Sequence, residues 1–426
     1  MYSRFTGSGF IVARGAQAKR FFEHICMEDE TLDWADGARF AGKLLRREAA
    51  FHLVRPIHAL FFITYRCSSR CTTCVMWRRG GPEKEIGLED WKRIVDECAK
   101  AKLDKIEMFG GDALLRPDVL FPLIRYATEK KVACDLTTNG ILLSEEISRQ
   151  TVLAGSEVVY LSIDGVGEIH DSIRGVRGAF DKALWALRNL KSAKEAISSI
   201  SGKPEIVVNT TVSRRNVREM ETLLEFVEKE QPDVLALEYV GQISDAAIRA
   251  SAVDGILPDP YFIAQDESSC LSKEEAKFLK EWIEEKRRVV RPKGVVFNTE
   301  NVDALSEEQM SSGLVPWRKC YVCRTTVLVD PSGAVLCCPF FSKYSLGNLT
   351  SEPLSGIWGN SRHLHFIRAQ ARRKIAICEE CILTVQRNPS LIEALAKRYS
   401  QYWKRRKYKI KQALSGEEGH LSKEPC

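Results

Sequence analysis

From Ala59 onward, short apolar runs alternate with amphipathic segments, and this rhythm restricts the chain to repeated βα units around a parallel sheet. The runs at 59–65, 105–109, 133–137, 157–163, 205–212 and 234–240 are the predicted strands. Between them Leu88, Trp91, Ile94, Val95 and Cys98 share one helical face. Phe180, Leu184, Leu187 and Leu190 share another, and Val217, Met220, Leu224 and Val227 a third.

Six such units fall short of the eight that close a full barrel. The predicted fold is therefore α/β, a partial (β/α)6 TIM-like barrel with its site at the C-terminal ends of the strands. Residues 1–57 read as a basic lead-in with Trp34, Phe40 and Leu44 as apolar anchors, and 58–241 as the barrel. Residues 242–316 read as a connector or lid. It holds a turn at Pro258-Asp259-Pro260 and a helix that starts at the capping box Ser272 to Glu275. Residues 317–382 carry six cysteines and 383–426 form a tail.

The 426 residues include fourteen cysteines but no apolar core of an export signal near the N-terminus. The longest apolar stretch, near 59–63, is far shorter than the roughly 18 residues that cross a membrane. These features predict a reducing, cytoplasmic setting, in which clustered thiols hold metal or do redox work.

Directly after the first strand stands Cys67-Ser-Ser-Arg-Cys71-Thr-Thr-Cys74. One loop with this spacing can wrap three corners of an iron–sulfur cube and leave the fourth iron without a protein ligand, which is a catalytic arrangement. A zinc site completed from elsewhere, or thiols that simply pack as small apolar groups, are the alternatives.

These three cysteines, placed after the first strand of a βα repeat, resemble the radical S-adenosylmethionine (SAM) superfamily. After the second strand, Phe109-Gly110-Gly111-Asp112 is similar to the family's glycine-glycine-glutamate turn, with Asp112 one methylene shorter than the usual Glu. The resemblance implies that Gly110, Gly111 and Asp112 meet the methionine ammonium of SAM, glycine allowing carbonyls to approach a cation closely. It likewise implies that Asn139, Ser162, Asp164 and Arg174 contact the ribose and carboxylate, with Asn209 and Thr211 facing the same cavity. Met76 and Trp77 are placed near the adenine. Thr73 stands where the family commonly has an aromatic residue. His170 is a packing residue or a proton carrier.

The later cysteines occur as Cys320-Tyr-Val-Cys323, then Cys337-Cys338 behind the turn Asp330-Pro-Ser-Gly333, and finally Cys378-Glu-Glu-Cys381. Taken alone they also allow a zinc ribbon. With Leu346-Gly-Asn-Leu and Ile357-Trp358, they resemble SPASM and twitch domains, which implies a small C-terminal β-hairpin/α domain holding an auxiliary 4Fe–4S cluster. One register uses Cys320, Cys338, Cys378 and Cys381. The other begins Cys320, Cys323, Cys337. The first supplies four ligands to one cluster, and six thiols are fewer than two full clusters require. Cys26, Cys98, Cys134, Cys270 and Cys426 have no partner pattern.

The resemblance implies an oxygen-sensitive enzyme in which the first 4Fe–4S cluster reduces SAM to methionine and a 5′-deoxyadenosyl radical, which takes hydrogen from an unactivated C–H bond. An electron donor such as flavodoxin or ferredoxin is implied as a partner. For the substrate, a small molecule (a sugar, cofactor precursor or lipid-linked compound) is the first expectation. The lead-in lacks the strand pattern of a peptide-recognition winged helix, and a peptide or protein substrate is the alternative.

Net charge is +6, too mild to indicate a nucleic-acid partner. Between Glu393 and Glu417 lie eight bases and no acid, so without those eight the balance falls to −2. Its bases, interleaved with Tyr399, Tyr402, Trp403 and Tyr408, fit either a solvated helix or contact with an anionic membrane surface.

Overall fold

In this computed structural model the described residues are 2–4, 11–13, 42, 45–80, 82–197, 203–261, 269–290, 295–315 and 320–386. The basic tail, the anchors Trp34, Phe40 and Leu44, and Cys26 and Cys426 lie outside the described residues.

Ten strands form one sheet: β1 (His58–Thr64), β2 (Lys105–Gly110), β3 (Ala133–Thr138), β4 (Val158–Ser162), β5 (Glu205–Val212), β6 (Val234–Tyr239), β7 (Val296–Asn298), β8 (Thr326–Val329), β9 (Ala334–Leu336) and β10 (Ser345–Asn348). Their spatial order is β10-β9-β8-β1-β2-β3-β4-β5-β6-β7. The ladder from β1 to β7 is parallel throughout. The six runs marked in the sequence are β1 to β6.

Three features of the strand pairing depart from expectation. The connector contributes β7, which pairs parallel with β6 from Val234↔Val296 to Ala236↔Asn298. The cysteine-rich hairpin is joined to the barrel, because β8 pairs parallel with β1 from Thr326↔His58 to Val329↔Phe61. β9 and β10 then add antiparallel strands. A third difference lies in the lead-in, where Tyr2–Arg4 pairs antiparallel with Ile11–Ala13.

Period-two alternation separates the two faces of the sheet. Outward residues such as Phe61, Met108, Leu136 and Val208 pack under helices α1 (Leu88–Lys100), α2 (Pro117–Glu129), α3 (Glu145–Leu153), α4 (Glu168–Arg174), α5 (Ala179–Ala196) and α6 (Met220–Glu230). The predicted face of α6 is buried, as is that of α1 except for the half-buried Leu88, and Trp91 lies 4.9 Å from the Phe61 ring. In α5 the face is rotated toward small residues, with Ala183, Ala186, Leu187 and Leu190 buried and Leu184 only half-buried. Gly140 presses against this alanine stripe, so close approach of backbone, not bulk, sets the contact. Helix α7 (Lys273–Val290) starts at the expected capping box. Ser272 Oγ accepts the Glu275 N–H at 3.2 Å, and the Glu275 carboxylate accepts the Ser272 N–H at 2.8 Å.

The inward face is lined by Val158, Tyr160, Val207, Val234 and Ala236. At the N-terminal ends of the strands, the buried Lys105–Asp135 ion pair and Glu205 form its floor. Burial, reinforced by Asp233, pushes the Glu205 carboxyl up to about 8. The folded chain therefore binds a proton more tightly there than the unfolded chain, whose glutamates titrate near 4.3. Stability is predicted to fall by a few kcal/mol as pH rises from about 4.5 through 8. Urea midpoints measured across that range should be flatter for Glu205→Gln than for the parent.

Candidate active site

β1 delivers the chain into the cysteine loop, and backbone hydrogen bonds to three other segments fix the loop's course. Gly111 donates its N–H to the Thr64 carbonyl at 2.8 Å, and Asp112 donates to Arg66 at 2.9 Å. Thr72 donates to the Ile173 carbonyl at 2.8 Å, at the end of α4, and Val75 donates to Tyr261 at 2.7 Å, in the connector. The two glycines are needed for the first pair. A Cβ on Gly110 would lie 2.2 Å from the Thr64 oxygen and one on Gly111 2.1 Å from the Arg66 oxygen. Two backbones cross here, a role the sequence did not reveal.

Cys71 is buried, and Cys67 and Cys74 are half-buried. N–H groups point at all three sulfurs: Ser69 at Cys67 (3.4 Å), Met76 at Cys74 (3.4 Å) and Arg174 Nη1 at Cys71 (3.8 Å). Asn139 Nδ2 adds a contact to Cys67 at 3.9 Å. Burial pushes the bare Cys67 thiol up to about 11 and Cys74 up to about 12, so binding of a metal group must displace their protons.

The residues proposed for SAM lie on or just after four strands, β2 to β5. Asp112 is buried and accepts from Ser68 Oγ at 3.0 Å, Thr138 Oγ1 at 3.2 Å and the Leu114 N–H at 3.3 Å. Ser68 in turn accepts from Asn139 Nδ2 at 2.9 Å. Asp112 and Asn139 are thus tied together through Ser68, which no pattern in the sequence singled out. Asp164 accepts the Thr211 N–H at 2.9 Å and lies 2.7 Å from Arg174 Nη2 in an ion pair. Ser162 and Asn209 are register partners on the inward face, and Asn209 Oδ1 has no hydrogen-bond partner. His170 is buried, its Nδ1 accepting the Asp164 N–H at 3.1 Å. Burial and the nearby Arg174 charge push it down to about 3, so it is neutral at ordinary pH. Trp77 lies under the guanidinium groups of Arg70 (5.0 Å) and Arg78 (4.6 Å), while Met76 is buried.

Arg79 was also missed. Its Nε donates to Asp259 Oδ2 at 2.9 Å, and its Nη2 donates to the carbonyls of Asp259 (2.7 Å) and Pro339 (3.1 Å). Asp259 Oδ1 accepts the Ser342 N–H at 2.8 Å. The cysteine loop, the Pro258–Pro260 turn and the segment after Cys338 therefore meet at one ion pair.

The later cysteines surround a partly open cavity walled by Cys320, Cys323, Cys338, Cys378 and apolar groups such as Phe341 and Phe366. Burial and the nearness of Cys381, Cys320 and Cys378 push Cys338 well above its usual value. Cys378 is raised by burial and by the nearness of Cys320, Cys381 and Cys323. Cys323 and Cys337 approach each other on the Cys320 side. Soft sulfur ligands in a largely apolar pocket fit an iron–sulfur cluster. Among the described residues no three His, Cys, Asp or Glu side chains converge on a single metal ion, whereas a cube spreads its ligands over separate irons.

A family model described as the radical SAM superfamily matches residues 61–227, and one described as an iron–sulfur cluster-binding SPASM domain matches residues 320–382. The chain belongs to the radical SAM superfamily. It is an enzyme of the SPASM-bearing kind, with SAM and 4Fe–4S clusters as cofactors. It is 25% identical over 330 residues to mycofactocin maturase MftC of Mycolicibacterium smegmatis, covering 76% of this chain and 75% of that one. To the Fe-coproporphyrin III synthase of Methanosarcina barkeri it is 27% identical, covering 70% and 72%.

Streptococcus suis SuiB bound to precursor peptide SuiA superposes with a TM-score of 0.55 at 14% identity, over 82% of this chain and 80% of that one. Native anSMEcpe with AdoMet and the Kp18Cys peptide gives 0.55 at 18% identity, over 74% and 83%. At these identities the two structures establish the shared fold, a radical SAM TIM-like barrel.

The crossing of backbones at Gly111 generates a prediction. Gly111→Ala should displace the cysteine loop and halve the iron of the reconstituted protein, from about eight to about four per chain. Gly87→Ala, where a Cβ meets nothing within 4 Å, should leave the iron count unchanged.

Proposed function

We propose that Cys67, Cys71 and Cys74 hold the cluster that binds SAM, and that Cys320, Cys338, Cys378 and Cys381 hold one auxiliary cluster. The observation that carries the first assignment is the loop itself, with three thiols, N–H donors directed at their sulfurs, and a course fixed by backbone bonds to the turn after β2, the end of α4 and the connector. The mutual nearness of four thiols around Cys338 supports the second. When bound, the first cluster with SAM supplies a radical able to take hydrogen from an unactivated C–H bond.

The protein's own residues bind and orient. In this reading Gly110 and Gly111 offer backbone to the SAM ammonium, and Asp112 and Asn139 hold that turn against the cluster loop through Ser68. Ser162 and Asn209 present the polar groups for the ribose. Asp164 orients Arg174, whose guanidinium serves both the Cys71 sulfur and the SAM carboxylate. A protein reductant of the flavodoxin or ferredoxin type delivers the electron. Among the described residues no helix is long and apolar enough to cross a membrane, and contact with an anionic membrane is assigned to the basic tail.

For the substrate we infer a peptide, in place of the small molecule first expected. The ribbon at Tyr2–Arg4 and Ile11–Ala13 removes the premise that the lead-in lacks strands. The half-buried, inward-facing Ser162, Thr211 and Asn298 offer hydroxyl and amide groups, which suit a peptide backbone better than a flat macrocycle. MftC is a maturase and SuiB was solved with a precursor peptide, which supports the same reading. The synthase relatives favour a porphyrin as the second reading.

Two experiments test these assignments. After anaerobic reconstitution, Cys71→Ala should release no 5′-deoxyadenosine yet keep about four irons. Cys381→Ala should lose only the auxiliary irons, and Cys337→Ala should keep both clusters. An unchanged iron count in Cys381→Ala would overturn the auxiliary set. For the substrate, short peptides encoded beside the gene should raise 5′-deoxyadenosine release several-fold and return with a changed mass. Turnover of iron-coproporphyrin instead would decide for the second reading.

A further inference from the structure

Helix α8 (Ser361–Ala371) closes one side of the auxiliary cavity. Its N-cap Asn360 accepts the His363 N–H at 2.9 Å, and its buried face is His363, Phe366, Ile367 and Gln370, the i, i+3, i+4, i+7 pattern of a core-facing helix. His363 is satisfied on both ring nitrogens. Nδ1 accepts the Gly359 N–H at 3.0 Å, and Nε2 donates to the Cys323 carbonyl at 2.7 Å. Phe366 packs against the Phe341 and Tyr344 rings at 5.1 and 5.2 Å.

Gln370 is the exception on this face. It is 4% exposed, its Nε2 has no hydrogen-bond partner, and it lines the same cavity as Cys320, Cys323, Cys338 and Cys378. Leucine would serve packing at this position, whereas a buried amide donor without an acceptor opposes folding. The acceptors that this cavity gains when loaded are thiolate and sulfide sulfurs.

We propose that the Gln370 side-chain N–H donates a hydrogen bond to a sulfur of the auxiliary cluster and thereby raises that cluster's reduction potential. The claim rests on the assignment of Cys320, Cys338, Cys378 and Cys381 as its ligands. An N–H···S bond favours the reduced cluster because reduction places more negative charge on the sulfurs. Gln370 is a positioning and tuning residue. It supplies no iron ligand and touches no substrate.

The test uses the full chain with Cys67, Cys71 and Cys74 replaced by Ala, so that only the auxiliary cluster remains. About four irons should be retained; a chain without iron overturns the ligand assignment itself. In that background Gln370→Leu should keep its iron and shift the one-electron reduction equilibrium at least tenfold toward the oxidised cluster, about 59 mV downward. Retained iron with an unchanged potential overturns the role of Gln370 and leaves the ligand assignment standing. A second measurement does not depend on the variant folding. In protein carrying 15N in its glutamine side chains, pulsed EPR of the reduced auxiliary cluster should show a nitrogen hyperfine coupling, and its absence also overturns the proposal.

Discussion

The parallel pairing of β8 with β1 sets where everything else must go. β1 has the barrel on one side and the cysteine hairpin on the other, so the strand that launches Cys67 neighbours the strand that leads toward Cys337 and Cys338. Parallel neighbours need a crossover, and here the crossover is the whole barrel and its connector. Both cysteine sites are thereby mounted on one continuous sheet. The Arg79–Asp259 pair closes the arrangement above the sheet, joining the loop after Cys74 to the segment after Cys338. With the Arg79 side chain only 7% exposed, its desolvation offsets much of the Coulombic gain, so the pair contributes registry more than net stability.

How much of this was legible follows from the range of the signals. Strands β1 to β6 and the faces of α1 and α6 are written in local periodicity, and all can be read from windows of fewer than about 18 residues. β8 is equally apolar, but periodicity identifies a face and not a partner, and its partner β1 lies on the far side of the barrel in sequence. β7 has three residues and too little alternation to register. α5 misled for a different reason: its large residues Phe180 and Leu184 are half-buried at the margin, while alanines make the close contact.

The site divides in the same way. Cysteine spacing and the glycine pair are local, and the sequence located them. Their roles depend on chains that cross: Gly110 and Gly111 against Thr64 and Arg66, Ser68 against Asp112, Arg79 against Pro339. Each of these contacts joins segments at least forty residues apart, and no single window contains both members. Gln370 is a milder case. A polar residue on an apolar helical face was visible in principle, but the thiol cavity that gives it meaning exists only in three dimensions.

The charged groups around the proposed SAM site are largely committed to one another. Asp112 accepts from Ser68, Thr138 and Leu114, and Asp164 from Thr211 with Arg174 alongside. Their carboxylates therefore act as fixed posts that hold backbone and guanidinium in place. What remains open toward a ligand is Arg174 Nε, Asn209 Oδ1, the half-buried Ser162 hydroxyl and the glycine turn. A site built this way meets its ordering cost during folding, so little reorganisation is left for the moment of binding. The one-methylene shortening from Glu to Asp112 then has a physical reading. The shorter carboxylate caps its own turn and reaches Ser68, which secures the cysteine loop; in the proposed site this leaves the ammonium to the backbone.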